Sequence, residues 1–574
     1  SGTNAIVQKK GPRLGLLLRS TTDFSFLIEK KEEQEMFSEI VDNRISYLNP
    51  NLQDEELEEN VVKSMNHLLS NGANRLVVSL SGPNYKEEER KIRKIILNKY
   101  PRHLLGAVPV LFSHELVEDS DDKRRTWSSL CNSFLHPTME RFLYNAENVL
   151  RSHRAKNPLL IFQNDGNSTR VAKTTAIKTY GSGPRGGMEG TKALAKHYKI
   201  PALLTLDIGG TTSDIGLIKQ EQIKEDTFGE IEGIKTSFRL SDLISVGAGG
   251  SSVFKVKDGV VTVGPESVGA APGPASFGRG GKEATITDAN LLLGVFEPHS
   301  YFGGKMKLDV ERAKKVVEEN IAEPLGISLE AALIKMENAY HEKIAKGLAV
   351  YQNQVENVTL LAFGGAGPMS ACGTAEVAGI KEVIIPRLAA VFSAFGISFS
   401  EIAHEYEEHL PEMTEAMVQE KADQLKAQAE RDMFSEGFDL SECMVETQLG
   451  IINGTEKNLY PLEVLNQNDL IQEADEVLVH LKVVKPISHF SFVDDAEIKN
   501  YNPSPCRMQS ILQPSGQWRE TPVFSFEKMV PGATGVGPAL IEDPLFTCRV
   551  LDGWSFKVNA NKDIFLQDVR GNEK

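Results

Sequence analysis

The sequence predicts an α/β protein in two halves followed by a β-rich C-terminal region, and three observations carry that expectation. Short apolar segments alternate with helical repeats through the first 400 residues, as in a largely parallel sheet covered by helices. In the middle of that region, Leu203-Leu-Thr-Leu-Asp-Ile-Gly-Gly-Thr-Thr-Ser-Asp-Ile-Gly-Leu-Ile218 reads as a strand, a glycine turn and a second strand. Beyond about residue 400 the pattern changes to one charged helix and then strand-like segments punctuated by Pro and Gly.

Taken in order, residues 1–130 are expected to form an N-terminal α/β domain. Arg13–Leu18 and Arg75–Leu80 read as strands, and 55–71 as a helix with Val61, Met65 and Leu68 on one face and Gly72 after its end. The charged run from Asp119 to Arg125 reads as a solvated loop. Residues 131–400 collect the glycine loops and are expected to form a second domain. They contain Gly181-Ser-Gly-Pro-Arg-Gly-Gly187 leading into a helix, Val246-Gly-Ala-Gly-Gly250, and the Gly- and Pro-rich stretch 265–281. A long helix follows Ser328, and a buried strand at 358–363 leads into Gly364-Gly-Ala-Gly-Pro368. Residues 401–574 are expected to form a β-rich domain after an amphipathic helix capped by Thr414 and stopped by Gly437.

The central stretch carries the chemistry. Gly209 and Gly210 remove the Cβ atoms that would keep backbone N–H groups from an anion, and Thr211 and Thr212 add hydroxyl donors. Asp207 and Asp214 flank those donors, which suits a cation held beside a phosphate, so both are candidate catalytic and metal-binding residues. A Rossmann-type loop leads directly into a helix, whereas here a second strand follows, so the pattern favours an actin-like or sugar-kinase-like phosphate hairpin. The strand–Gly364-Gly365-Ala366-Gly367–helix unit lets a base or ribose approach the backbone, or else is a tight β–α turn. Asp288 is either a helix cap or a site carboxylate. His404-Glu-Tyr-Glu-Glu-His409 spaces its histidines five apart and is not the HExxH zinc motif.

Composition removes several classes. The 574 residues are 41% apolar and 25% charged, as in a globular protein of roughly three or four domains. A net charge of −16 argues against nucleic acid as the main partner, because phosphate contacts need clustered Lys and Arg. The five cysteines form no CxxC pair, which fits a reducing compartment and the expectation of a cytoplasmic protein. No apolar run approaches the ~20 residues that span a bilayer, so no membrane association is expected. The first residue is Ser1 rather than Met, so an internal start is expected.

Collected in order, these motifs resemble the hydantoinase A/5-oxoprolinase family, which includes the ATP-using subunits of acetone and acetophenone carboxylases. The resemblance runs through Gly2–Ile6, Arg125–Asn132, Ser182–Gly187, Asp207–Asp214, Val246–Gly250, Gly269–Gly281, Thr287–Asn290, Phe363–Pro368, Phe392–Gly396 and Gly537–Glu542. It implies an actin-like (ribonuclease H-like) ATPase fold with ATP and Mg²⁺ as cofactors. Asp207 and Asp214 would orient Mg²⁺ and water, Gly209–Thr212 would hold the β/γ-phosphates, and Gly364–Gly367 would lie near the adenosine. The implied activity is phosphorylation of a carbonyl oxygen in a small-molecule substrate, first for hydrolytic ring opening of a cyclic amide of the hydantoin or 5-oxoproline type. Ketone carboxylation is the alternative, and a non-catalytic structural subunit a third. A hydantoinase B-type partner subunit in a hetero-oligomer is also implied. The sequence departs from the family pattern in four places: Ser370 and Ile244 stand where histidines are usual, Ser276-Phe277 where Cys-Tyr is usual, and Arg185 where a small residue is usual. The family's earlier Asp-x-Gly-Gly-Thr loop has no match before Gly2.

Overall fold

The computed structural model describes residues 2–7, 9, 11–101, 103, 107–299, 301–411, 413–454, 456–463, 474–494 and 498–570, so Ser1 lies outside the described residues. Its contacts group into two compact units: Ser1–Arg185 with Glu225–Ser241 and Ser400–Ser488, and Gly186–Lys224 with Asp242–Phe399 and His489–Lys574. These boundaries differ from the divisions expected at residues 130 and 400.

In the first unit, Leu14–Arg19 is a six-residue, mostly aliphatic strand that is buried along nearly its whole length. It pairs in parallel with Ile45–Leu48 and Arg75–Val78, and Val110–Phe112 completes the sheet. Parallel strands need crossovers, and the helix Asp54–Ser70 supplies one, burying Leu57, Val61, Met65 and Leu68. Gly72 follows that helix at φ +85°, the left-handed geometry that suits glycine.

The charged run at 119–125 is not a solvated loop. Asp121 caps the helix Asp122–Ser152 by accepting from the Arg124 N–H at 2.9 Å, and Asp119 is buried, accepting from Arg124 Nε at 3.0 Å. Arg125 is wholly buried. Its guanidinium donates to the carbonyls of Asp119 and Leu80 and to Ser113, pairs with Asp122, and lies over the Tyr85 ring. A buried guanidinium is tolerated when its donors are matched, and here carbonyls, a carboxylate and an aromatic face match them. Two residues on, Trp127 is fully buried against Phe37 and donates its indole N–H to the Leu27 carbonyl at 3.1 Å.

The strands after residue 400 divide between the two units. Ile402–His409, Met444–Asn453, Glu456–Pro461 and Glu476–Lys485 join Ser168–Arg170 and Leu160–Phe162 in a six-stranded sheet of the first unit. The helix Glu415–Glu436, capped by Thr414 and ended by Gly437 at φ +92°, covers one face of it. In the second unit, Ile564–Asp568 runs antiparallel beside Glu382–Ile385, then Trp554–Val558 and Thr534–Val536 extend the same sheet. These pairings follow from the cost of an open edge: the Glu382–Ile385 strand would otherwise leave its outer N–H and C=O groups unpaired.

The centre of that second-unit sheet orders Leu243–Val246, Ser213–Lys219, Ala202–Ile208, Thr359–Phe363 and Glu382–Ile385. The first three are antiparallel, and the last two run parallel to Ala202–Ile208. The helix Leu329–Gln352, capped by Ser328, packs Tyr340, Ile344, Leu348 and Tyr351 into the core beneath it. Among the described residues no helix is long and apolar enough to cross a membrane.

Two helices of this unit meet backbone to backbone. A Cβ at Gly396 would overlap the Gly186 carbonyl oxygen and lie 2.7 Å from the Gly190 nitrogen. Gly396→Ala is therefore expected to destabilise the protein by about 1–3 kcal/mol, the usual cost of overpacking, read as a lowered thermal midpoint. The exposed control Gly454→Ala, which has open space around it although its φ is +61°, should cost less.

Candidate functional site

Ala202–Ile208 ends and Ser213–Lys219 begins on either side of the four-residue turn 209–212, and the register places Asp207 directly opposite Asp214. The Gly209 N–H donates to the Thr212 carbonyl at 3.0 Å and closes the turn. Among the described residues the N–H groups of Gly210, Thr211 and Thr212 find no internal acceptor, and residues 209–211 are exposed. A Cβ at Gly209 or Gly210 would meet nothing closer than 3.6 Å, and neither residue has a positive φ. Nothing inside the folded chain demands glycine at either position. The space their missing side chains leave faces outward, beside three free donors.

Two neighbouring segments hold the turn in place. The Val246–Gly250 loop packs against it so closely that a Cβ at Gly249 would lie 2.7 Å from the backbone of Gly210 and Thr211. Gly250 N–H donates to the Gly209 carbonyl at 3.0 Å, Ser251 N–H to the Gly210 carbonyl at 2.6 Å, and Ser213 Oγ to the Ala248 carbonyl at 2.5 Å. Thr287 Oγ1 donates to the Gly250 carbonyl at 2.8 Å and ties this loop to the helix Ile286–Leu292. On the other side, Phe363 pairs with Asp207, and the Gly364–Gly367 turn follows. Gly364 has φ +82°, and a Cβ there would strike Asp207 Oδ1 and lie 2.5 Å from the Ile208 carbonyl oxygen. Ala366 N–H donates to that carbonyl at 3.2 Å, Gly365 faces open space, and Gly367 begins the helix Gly367–Ala378. All eight sequence-nominated positions of the two loops therefore gather around Asp207 and Asp214.

The two aspartates form no ion pair with any described Lys, Arg or His. Burial, then the neighbouring Asp214 charge, pushes the Asp207 carboxyl up to about 6, although a hydrogen bond from Ser393 Oγ at 3.3 Å opposes the rise. Burial also raises the Asp214 carboxyl, opposed by Ser245. Among the described residues no three His, Cys, Asp or Glu side chains cluster as a complete metal cage. Two carboxylates and neighbouring hydroxyls fit Mg²⁺, which keeps several waters and takes one or two carboxylates beside a phosphate.

Sequence reasoning missed Ser393 and Ser245 as partners of the aspartates. Ser393 falls in the segment Phe392–Gly396, whose family match identified a motif without a role. Asp288 resolves as structural: Thr285 caps the helix, and Asp288 accepts from Thr285 N–H at 3.0 Å and Ser276 N–H at 2.7 Å. Arg185 belongs to the first unit, pairing there with Glu225 and donating to Ser241 Oγ at 3.2 Å. Ile244 pairs with Ile215, and the strand alternation turns it to the face opposite Ser245 and Asp214. Its departure from the family pattern leaves the aspartate pair untouched.

The raised Asp207 carboxyl has a consequence for stability. With a folded value near 6 against 3.8 unfolded, the folded chain holds an extra proton between those values, so stability falls as pH rises from about 4 to 6 and stays lower above. Without added metal, Asp207→Asn is expected to raise stability at pH 7.5 by roughly 3 kcal/mol, and the gain should vanish at pH 4. Denaturation midpoints at the two pH values check this, and a loss of stability at pH 7.5 would contradict the unneutralised pair.

Residues 125–406 match the Hydantoinase/oxoprolinase family. The acetophenone carboxylase gamma subunit of Aromatoleum aromaticum is 28% identical over 95% of this chain and 84% of that protein. The caprolactamase subunit alpha of Pseudomonas jessenii is 25% identical over 80% of this chain and 72% of that protein. In three dimensions, a nucleotide-free structure of acetone carboxylase matches 99% of this chain and 90% of its own with a TM-score of 0.80 at 20% identity, which establishes a shared mixed α/β fold.

Proposed function

Because residues 125–406 belong to the hydantoinase/oxoprolinase family, we propose that this chain is a subunit of an ATP-dependent enzyme that activates a carbonyl oxygen by phosphorylation. The most direct use is hydrolytic ring opening of a cyclic amide. The observation that carries the reading is the Asp207–Asp214 pair: two like charges, cross-strand neighbours without a cationic side chain, beside an exposed turn with free N–H donors. That arrangement costs stability until a cation and an anion arrive together. The names of relatives agree with it, since one solved relative is described as an ATP-dependent caprolactamase and another as carrying out ATP-dependent acetone carboxylation.

In this reading the central sheet of the second unit is half of an actin-like ATPase fold. The Gly209–Thr212 turn holds the β- and γ-phosphates through the N–H groups of residues 210–212 and the threonine hydroxyls. Asp207 and Asp214 hold Mg²⁺ and its waters, with Ser393 and Ser245 fixing their orientation. Gly364 to Gly367 lie on the adenosine side, where Gly365 leaves open space. The nucleotide supplies the phosphoryl group that turns a carbonyl oxygen into a leaving group. The chain's contribution is position and charge neutralisation in a rigid backbone cradle. A hydantoinase B-type partner completes the enzyme, consistent with the word subunit in the names of the acetophenone carboxylase and caprolactamase relatives.

A second reading, ketone carboxylation, is favoured by one observation: identity and coverage are both higher for the acetophenone carboxylase subunit than for the caprolactamase subunit. Bicarbonate-dependent ATP turnover with ketones, using the co-purified partner, would select it. A non-catalytic subunit is the third reading, and calorimetry separates it from both enzymes. The wild-type chain with its native N-terminus is expected to bind Mg-ATP, and Asp214→Ala to weaken binding at least a hundredfold. Binding should also decline as pH falls through about 6, because protonating Asp207 removes a cation ligand. Absence of Mg-ATP binding by the wild type would leave the structural reading standing.

A further inference from the structure

The second unit holds a cavity of about 440 Å³ that shares no residue with the aspartate pair or its two glycine turns. That volume lies within the roughly 300–1,000 Å³ of small-molecule sites. It is enclosed by the segment that follows the strand Glu382–Ile385, by the turns at 526–527 and 543–546, and by Lys562.

The walls are held from behind. The Ala389 carbonyl accepts from the Gly364 N–H at 2.9 Å, and the Arg387 N–H donates to the buried Asp563 carboxylate at 2.7 Å. The Tyr198 hydroxyl donates to that same carboxylate at 2.5 Å. Lys562 stands at φ +63°, uncommon for a residue with a side chain. Asn559 fixes its turn, accepting from the Asn561 and Asp563 N–H groups at 3.0 and 2.8 Å. The other two turns meet through the rings of Phe526 and Phe546, whose centres are 5.6 Å apart.

Four charged side chains line the cavity, and none has a counter-ion. The side chains of Arg387 and Lys562 form no ion pair or hydrogen bond with any described residue, and no described cation pairs with Asp543 or Glu527. Glu542, one residue before Asp543, shows the contrast, since Arg507 holds it at 2.6 Å. Burial pushes the Asp543 carboxyl up, the Leu545 N–H opposes the rise from 3.0 Å, and the Glu527 charge adds to it. The cations adjoin Asp563 and the acids adjoin the Phe526–Phe546 contact, so the cavity carries one sign at each end. The rest of the wall is apolar and open: Leu388, Val391 and Leu545 are 41%, 46% and 54% exposed.

This lining excludes simple ions. A lone anion drawn to Arg387 and Lys562 leaves both acids unmatched, and a lone cation leaves both bases unmatched. A free α-amino acid carries its two charges on one carbon, too close together to serve opposite ends. We propose that the cavity binds a short linear zwitterion with an apolar body, its carboxylate held by Arg387 and Lys562 and its ammonium by Asp543 and Glu527. A dipeptide with aliphatic side chains is the simplest molecule of this class. The site stands independently of the carbonyl-activation reading.

Calorimetry with leucyl-leucine, on the full chain, tests it. Wild type should bind, while N-acetyl-leucyl-leucine and leucyl-leucinamide, which each lack one charge, should bind about tenfold more weakly or worse. Arg387→Gln should weaken leucyl-leucine by a similar factor yet leave leucyl-leucinamide unchanged. Asp543→Asn should weaken leucyl-leucine yet leave the N-acetyl compound unchanged, so that each charge is assigned to its own end. Asp214→Ala should bind leucyl-leucine like wild type, which makes failure of the nucleotide reading and failure of this site separable. No wild-type binding, full affinity for either one-charge compound, or displacement of the dipeptide by Mg-ATP would overturn the site. The comparison of the three ligands needs only wild type, and it decides the matter if a variant fails to fold.

Discussion

The backbone between Asp207 and Thr212 is touched on two sides by backbone that admits no side chain, and the candidate site depends on that crowding. Gly364 leaves no room for a Cβ beside Asp207 and Ile208, and Gly249 none beside Gly210 and Thr211. A single methyl group at either position would force the sheet or the loop apart. Held this way, the turn cannot relax its two carboxylates away from each other, and its outward N–H groups keep one direction. Rigidity of this kind is what phosphate binding by backbone dipoles needs, because the donors are aligned before the ligand arrives.

The cost of that alignment falls on charge. Most buried ionic groups of this chain follow the ordinary rule and are matched: Arg125 by carbonyls, a carboxylate and a ring, Glu337 by Arg549, Asp119 by Arg124. The Asp207–Asp214 pair breaks the rule with no matching cation. Departures from local consistency tend to fall where a protein binds something.

The two solved relatives share this fold while their names describe different chemistry, acetone carboxylation in one case and a caprolactamase in the other. A common cradle with divergent substrates is expected when the nucleotide-handling part is fixed by backbone geometry and the substrate part by a few side chains. Under the function proposed for this chain, the first would correspond to glycines 209, 210, 249 and 364.

Local signals in the sequence determined the mixed α/β class, the strand–turn–strand at 202–219, the strand–turn–helix at 359–378, and the capped helices after Ser328 and Thr414. Each is short-range: a glycine where no Cβ fits, a capping hydroxyl, an apolar period. They also determined which loops to suspect, since both glycine turns gather at Asp207. Only the tertiary structure decided that Arg125, at the end of the charged run 119–125, folds inward, because its Leu80 carbonyl and Tyr85 ring partners lie 40 to 45 residues away. Tertiary structure alone also divided the late strands among three sheets, because strand pairing is set by which edges stand open and a single strand's pattern carries no record of its neighbour. For the same reason Ser393, 186 residues from Asp207, could not be read beforehand. Hydrogen-bond partners are chosen by distance in space, and sequence records only distance along the chain.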